Sequence, residues 1–402
     1  MQDPPAPAKN SAHPAAPVPM LDLGRQHQSL HRELLQAVEH VLETQEFILG
    51  EPVAAFERAA TGQLGVGYAV GCSSGTDALW LALAAAGVGP GAAVVTTPFS
   101  FFASVSAILR AGATPLLADI DPVSFNLDPT KVEAVLDSQR GAEFERGASV
   151  RALLPVHLYG QCADWDSFSR LGRERGLILI EDAAQAWGAE WRGVKAGALG
   201  DAAAFSFYPT KNLSAAGDAG MVTTNSADLA ERVRMLRQHG MSRRYYHDKI
   251  GWNARMDGLQ GAILGVKLKY IADWNQARRD LAERYHALFR AAGLADPGPY
   301  PLHGVVLPRE VPGARHVWHQ YVIRVARRDA LREFLAARRI GSEIYYPVPL
   351  HLQPALQSLD YAEGSFPEAE RAAREVLALP IFPELREDEQ QSVVSAVAEF
   401  LS

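Results

Sequence analysis

Phe205-Ser206-Phe207-Tyr208-Pro209-Thr210-Lys211-Asn212-Leu213 is the stretch from which the rest of the chain can be read. Ala202 to Phe207 is apolar except for Ser206 and lies between Gly200-Asp201 and Pro209, the pattern of an interior strand that runs into a turn. Lys211 therefore stands where a strand hands over to a loop. Most lysines in such a place are solvated turn residues. Here, however, a second strand-like run upstream, Leu177-Ile178-Leu179-Ile180-Glu181-Asp182-Ala183-Ala184-Gln185, puts a carboxylate at the same edge of what should be the same sheet. An amine that can form a Schiff base, with an acid that can keep a pyridinium nitrogen protonated, is the minimum equipment for chemistry on pyridoxal 5'-phosphate (PLP).

Working outward, further strands are predicted at Tyr68 to Val70, Val94 to Thr97, Pro115 to Ala118, Ala152 to Val156 and Met221 to Thr224, mostly separated by helical stretches. This alternation predicts an α/β fold with a mainly parallel central sheet, helices on both faces and ligands beyond the strands' carboxyl ends. Gly71-Cys72-Ser73-Ser74-Gly75-Thr76-Asp77 follows the first strand and opens an apolar helix. Small residues, hydroxyls and a helix N-terminus suit a phosphate seat, and Ser, Thr and Asp equally suit an ordinary helix cap. The segment is neither a P-loop nor a dinucleotide fingerprint. Of Phe99, Phe101 and Phe102, one lies at a strand's carboxyl end, where a ring could stack on a flat cofactor.

Residues 1–19, rich in Pro and Ala, read as a disordered tail. A large α/β domain is expected over 20–255 and a smaller α+β domain over 256–402, with a strand Tyr321 to Val325, a helix Asp329 to Arg338, a strand Glu343 to Tyr346 and two closing helices. The chain has 402 residues, 39 basic and 46 acidic, with a formal charge of −7, so its net charge gives no case for nucleic acid or anionic membranes. Two cysteines, Cys72 and Cys162, cannot build a disulfide framework, and neither a membrane span nor a secretion signal is visible, which together predict a cytoplasmic protein. The histidines lack the spacing of metal ligands, so no metal site is expected.

Five blocks in order, Gly75-Thr76-Asp77-Ala78-Leu79, Thr97-Pro98-Phe99-Ser100-Phe101-Phe102-Ala103, Pro155-Val156-His157-Leu158-Tyr159-Gly160-Gln161, Glu181-Asp182-Ala183-Ala184-Gln185, and Phe205 through Asn212 with Gly217-Asp218-Ala219-Gly220, resemble the DegT/DnrJ/EryC1/StrS family of PLP-dependent nucleotide-sugar aminotransferases. The resemblance runs from about Leu21 to the C-terminus. It implies a fold-type-I aminotransferase that is a homodimer with shared active sites. It also implies ping-pong transfer of an amino group, from L-glutamate in most relatives, through the pyridoxamine form of the cofactor to a keto group of a nucleotide-linked sugar.

Carried over by position, Lys211 would be the Schiff-base lysine and the proton-moving base, Asp182 would pair with the pyridine nitrogen, and Gln185 would lie near the ring hydroxyl. Gly75, the N–H groups of Thr76 and Asp77, and the Ser206 hydroxyl would form the phosphate seat; Phe101 would stack on the ring; Asn253 would reach the partner subunit's phosphate. Ser214 stands where relatives commonly have Gly. The segment Ile344-Tyr345-Tyr346-Pro347 through Gln353 is similar to that of relatives acting on 3-keto sugars, so amination at C3 is favoured over C4. Tyr159, Tyr345 and His351 are sugar-site candidates by similarity, with domain packing as the other reading. Arg243 would meet the nucleotide's phosphates or face water. A PLP-binding regulator without turnover is the alternative to an enzyme.

Overall fold

Short runs of small and β-branched residues, Tyr68–Cys72, Ala92–Thr96, Thr114–Leu117, Ser149–Leu153, Ile178–Asp182, Ala202–Ser206 and Gly220–Thr224, form the central sheet of the computed structural model, which describes residues 17–138 and 149–402. Ala92–Thr96 and Gly220–Thr224 are buried at every position, as strands covered on both faces must be. Across the sheet the order is Tyr68–Cys72, Gly220–Thr224, Ala202–Ser206, Ile178–Asp182, Ser149–Leu153, Ala92–Thr96, Thr114–Leu117. Only Gly220–Thr224 runs against its neighbours; the other pairings are parallel. The carboxyl ends that carry Thr96, Asp182 and Ser206 therefore share one rim.

Helix Gly75–Ala85 is apolar all round, with Ala78 to Leu83 buried, because it packs on the strand Ala202–Ser206 and under the helix Ala103–Arg110. Its start is pressed onto the sheet. A Cβ on Gly75 would lie 2.5 Å from the Ser206 Cβ, and one on Gly220 would lie 2.2 Å from the Ser74 carbonyl oxygen. Both positions admit only glycine.

The helix Gly258–Lys267 packs on Gly50–Leu64, and Leu264, Leu268 and Ile271 join the core around Phe205 and Phe207. Leu281, Tyr285 and Phe289, further along Ile271–Ala291, belong instead to a C-terminal core with Ile323, Leu377 and Val393. That part is built on an antiparallel pair, Tyr321–Arg324 with Val376–Leu379, covered by helices Arg328–Ala337, Pro367–Glu375 and Glu387–Leu401.

Two local expectations are corrected. The strand expected at Glu343 to Tyr346 is reduced to one bridge, Glu343 to Ala378, because the chain leaves the sheet there and carries Tyr345 and Tyr346 toward the rim. Residues 1–16 lie outside the described residues, but Val18, assigned to the tail by composition, is buried. Its N–H donates to the Arg339 carbonyl (3.0 Å) and its carbonyl accepts from the Gly341 N–H (2.8 Å). Burial of the valine and two backbone bonds offset the ordering cost that proline and alanine alone could not.

Candidate active site

Asp182 ends its strand buried at the rim. Its Oδ2 accepts from the Ser104 hydroxyl (2.7 Å) and its Oδ1 from the Ala184 N–H (3.2 Å). Burial raises its carboxyl above the usual range, while those two hydrogen bonds and the Lys211 charge pull it back. Behind it, Glu181 accepts from the N–H groups of Gly197, Leu199 and Gly200 and pairs with His157 Nε2 at 3.0 Å. This carboxylate is saturated and structural.

Lys211 follows the strand Ala202–Ser206, in a loop closed at its base by Phe207 N–H to the Ala219 carbonyl (2.8 Å) and Ala215 N–H to the Phe207 carbonyl (2.7 Å). Asn212 anchors the loop: its amide donates to Asn275 Oδ1 (2.8 Å) and the Val317 carbonyl (3.0 Å), and its Oδ1 faces His319 Nδ1 at 3.1 Å. Burial lowers the Lys211 amine to about 8, with Asp182 opposing the shift. Near neutral pH an appreciable fraction is therefore the free nucleophile. His319 is held neutral by burial and by Lys211.

Ser214, on the same loop, is buried. Its hydroxyl lies 3.0 Å from the buried Lys267 amine, which also meets His27 Nε2 at 3.2 Å. No carboxylate pairs with Lys267 among the described residues, and burial lowers its amine to about 8. A lysine whose folded value lies below its unfolded value of 10.5 penalises folding while charged; the penalty is present below about pH 8 and fades as pH rises toward 10.5. Lys267→Met is accordingly expected to raise the unfolding free energy by about 1–3 kcal/mol at pH 7, with the gain shrinking toward pH 10. Chemical denaturation of both proteins at the two pH values checks this.

At the helix start, the Ser74 hydroxyl accepts from the Asp77 N–H at 3.1 Å, and the Asp77 carboxylate is paired with Arg110. The Asp77 N–H, expected at the phosphate, here serves the N-cap. The helix start offers instead the N–H groups of Gly75 and Thr76, with the half-buried Ser206 pressed against them. Phe101 projects from the rim, 60% exposed, with Tyr346 at 6.3 Å between ring centroids.

Gln185 bridges two elements: its Oε1 accepts from the Tyr159 N–H (2.7 Å) and its amide donates to the Tyr346 hydroxyl (3.2 Å). Tyr346 is the residue missed in the sequence, where Tyr345 was singled out. Tyr345 is half-buried, and its carbonyl accepts from the Tyr159 hydroxyl. Tyr346 stands beside Phe99 and Phe101, feels Asp182, and is kept protonated by burial. Two adjacent tyrosines with no strand to fix their sides hold no signal to choose between them.

Two further candidates make contacts within the protein that suit the packing reading. Tyr159 is buried with its hydroxyl occupied, and His351 is buried with Nε2 on Glu370 at 2.9 Å. Arg243 is exposed on the ribbon Met241–Arg243 with Tyr246–His247, its guanidinium 3.7 Å from the Tyr246 ring centroid. Asn253 is exposed nearby and paired through its backbone with Gln238.

The rim thus gathers a free amine, a buried carboxylate, a seat with helix N–H groups and a serine, and an exposed aromatic ring. These residues fit PLP: the acid suits the ring nitrogen, the amine its aldehyde, and the seat, closed to anything larger than glycine at 75 and 220, its phosphate. Together with the sheet, they define a fold-type-I PLP-dependent aminotransferase.

The family described as the DegT/DnrJ/EryC1/StrS aminotransferase family matches residues 28–398. A pleiotropic regulatory protein of Geobacillus stearothermophilus is 47% identical over 383 residues, 95% of this chain and 98% of its own. The dTDP-3-amino-3,4,6-trideoxy-alpha-D-glucose transaminase of Streptomyces venezuelae is 41% identical over 383 residues, 95% of this chain and 96% of its own. A crystal structure of S. venezuelae DesV in complex with a ketimine intermediate superposes with a TM-score of 0.89 at 41% identity, covering 96% of this chain and 99% of that one. The chain belongs to the DegT/DnrJ/EryC1/StrS family, and it is a PLP-dependent nucleotide-sugar aminotransferase. Among the described residues no helix is long and apolar enough to cross a membrane, and no group of side chains could hold a metal ion.

Proposed function

We propose that this enzyme takes an amino group from L-glutamate and places it on C3 of a nucleotide-linked keto sugar, in two half-reactions that use one site in turn. The observation that carries the reading is the placement of Lys211 and Asp182 at one rim, each within reach of the other's charge. Bound there, the cofactor supplies an electron sink and a carrier for the amino group. Lys211 would bind it and then move the proton at the substrate carbon; Asp182 would keep the ring nitrogen charged. The N–H groups of Gly75 and Thr76 and the Ser206 hydroxyl would hold the phosphate, Phe101 would cover the ring, and Gln185, whose amide donates to the Tyr346 hydroxyl, would set that hydroxyl toward the substrate side.

Attack at C3 is supported by the S. venezuelae relative, whose name describes a 3-amino sugar. A shared-site homodimer is supported by exposed apolar and aromatic side chains, Phe101 and Tyr208 at the rim and Tyr246, Ile250 and Trp252 in the segment that leads to Asn253. Asn253 would reach the partner's phosphate and Arg243 the nucleotide. The division into a cofactor-binding part over 20–255 and a C-terminal part over 256–402 belongs to the same reading. A change of core membership along Ile271–Ala291, from the core around Phe205 to the core around Ile323, supports a seam in this part of the chain. A cytoplasmic location is supported by two cysteines that are both free and buried.

Supplying PLP-loaded enzyme with L-glutamate and either a 3-keto or a 4-keto nucleotide sugar tests the proposal. Formation of 2-oxoglutarate and the 3-amino product is expected; turnover of the 4-keto sugar alone would overturn the C3 assignment. The regulatory name of the 47% identical relative favours a second reading, a PLP-binding regulator without turnover. The absence of product from either sugar would support it. Tyr346→Phe is expected to raise KM for the keto sugar about 3–10-fold and to leave kcat within about twofold, the cost of one hydrogen bond; steady-state kinetics on the 3-keto sugar checks it.

A further inference from the structure

Ser100 and Ser104 lie one helical turn apart where the segment carrying Phe101 enters the helix Ala103–Arg110, and both are buried. Their hydroxyl oxygens are 2.9 Å apart, and Ser104 Oγ is 2.7 Å from Asp182 Oδ2. A hydroxyl has one proton to give. With Asp182 ionised, Ser104 must spend its proton on the carboxylate and accept from Ser100, so the chain of donation runs from Ser100 through Ser104 to Asp182. With Asp182 protonated at Oδ2 the Ser104 bond would have to reverse. We propose that Ser104, oriented by Ser100, is a positioning residue that fixes the carboxylate of Asp182 in its ionised form and locks it to the turn that presents Phe101.

The proposal rests on the reading of Asp182 as the partner of the ring nitrogen and adds two buried serines outside the residues assigned to cofactor and substrate. Among the described residues, Ser104 supplies the one side-chain hydrogen bond that Asp182 makes. The titratable groups that face Asp182 are Lys211 from its loop, His157 from the neighbouring strand end, and Tyr346 from the C-terminal part. His157 accepts from the Ala163 N–H at Nδ1 (3.1 Å) and turns Nε2 toward Glu181 (3.0 Å), away from Asp182. Removing the Ser104 donor makes Asp182 more basic, which draws the shared proton away from the ring nitrogen and leaves the lysine-linked nitrogen easier to protonate.

The test is the pH midpoint of the visible absorbance of PLP-loaded enzyme, measured for wild type, S104A, S104T and S100A alongside the rate of PLP loss on dilution. S104A is expected to raise the midpoint by about 0.5–1 pH unit, one hydrogen bond to a charged group. S104T should restore it, and S100A should shift it in the same direction by less. If S104A does not fold, S100A carries the test, since Ser104 stays in place and loses only its orienting partner. Faster PLP loss with an unmoved midpoint in S104A, or in S100A when it alone folds, would make the serines merely structural and overturn the proposal. A wild type without lysine-linked absorbance would overturn the reading of Lys211 and Asp182, and this inference with it.

Discussion

Lys211→Ala should fold, bind PLP loosely and lose turnover by about 10³–10⁴-fold or more, because one side chain supplies both the attachment and the base. Folding should survive because the wild-type amine is itself a burden: half-buried and lowered to about 8, it makes no side-chain hydrogen bond among the described residues. The loop around it is held by Asn212, Ser214 and backbone bonds that the substitution leaves alone. The melting temperature of the unloaded variant should therefore equal or exceed that of the unloaded wild type. Lost activity with an intact melting transition places the defect in chemistry. Lost activity with a collapsed transition would show that the loop needs its lysine to fold.

Asp182→Asn should be nearly as damaging for a different reason. The amide keeps the shape of the carboxylate and can still take the Ser104 hydroxyl, but it cannot hold a positive charge on the ring nitrogen. A preorganised charge at a site of developing charge is typically worth 10²–10³-fold, and we expect kcat to fall by about that much. KM for L-glutamate should change little. Asparagine also removes the charge that holds the Lys211 amine up, so the amine of the unloaded variant should titrate below about 8. Measuring kcat and the absorbance spectrum of PLP-loaded Asp182→Asn separates a weak electron sink from failed loading: a spectrum typical of bound cofactor with slow turnover is expected.

Much of this site was legible because its parts sit at strand ends, where a local apolar run and the polar residue that stops it are contiguous in sequence. Asp182 and Lys211 came from such runs, and so did the seat at Gly75. Features that depend on distant partners were not legible. The reversed direction of Gly220–Thr224 depends on which neighbours it pairs with. Val376–Leu379 follows the helix Pro367–Glu375 with no turn residue between them, and Leu and Ala favour helix, so nothing local separates the two. The side toward which an aromatic or imidazole ring points was also hidden. His351 turned to Glu370 and Tyr159 to the Tyr345 carbonyl, while Tyr346 reached the rim. Ser214 read as a small departure until Lys267, 53 positions away, supplied its partner.

The central claim is that Lys211 holds PLP in a form that L-glutamate can aminate. The most direct measurement is the visible spectrum of purified, PLP-loaded protein before and after addition of L-glutamate, with Lys211→Ala beside it. The account predicts lysine-linked absorbance that converts to the pyridoxamine form on addition of glutamate and is missing from the variant. A wild-type spectrum without that absorbance even after PLP is supplied, or the same spectrum in Lys211→Ala, would contradict it.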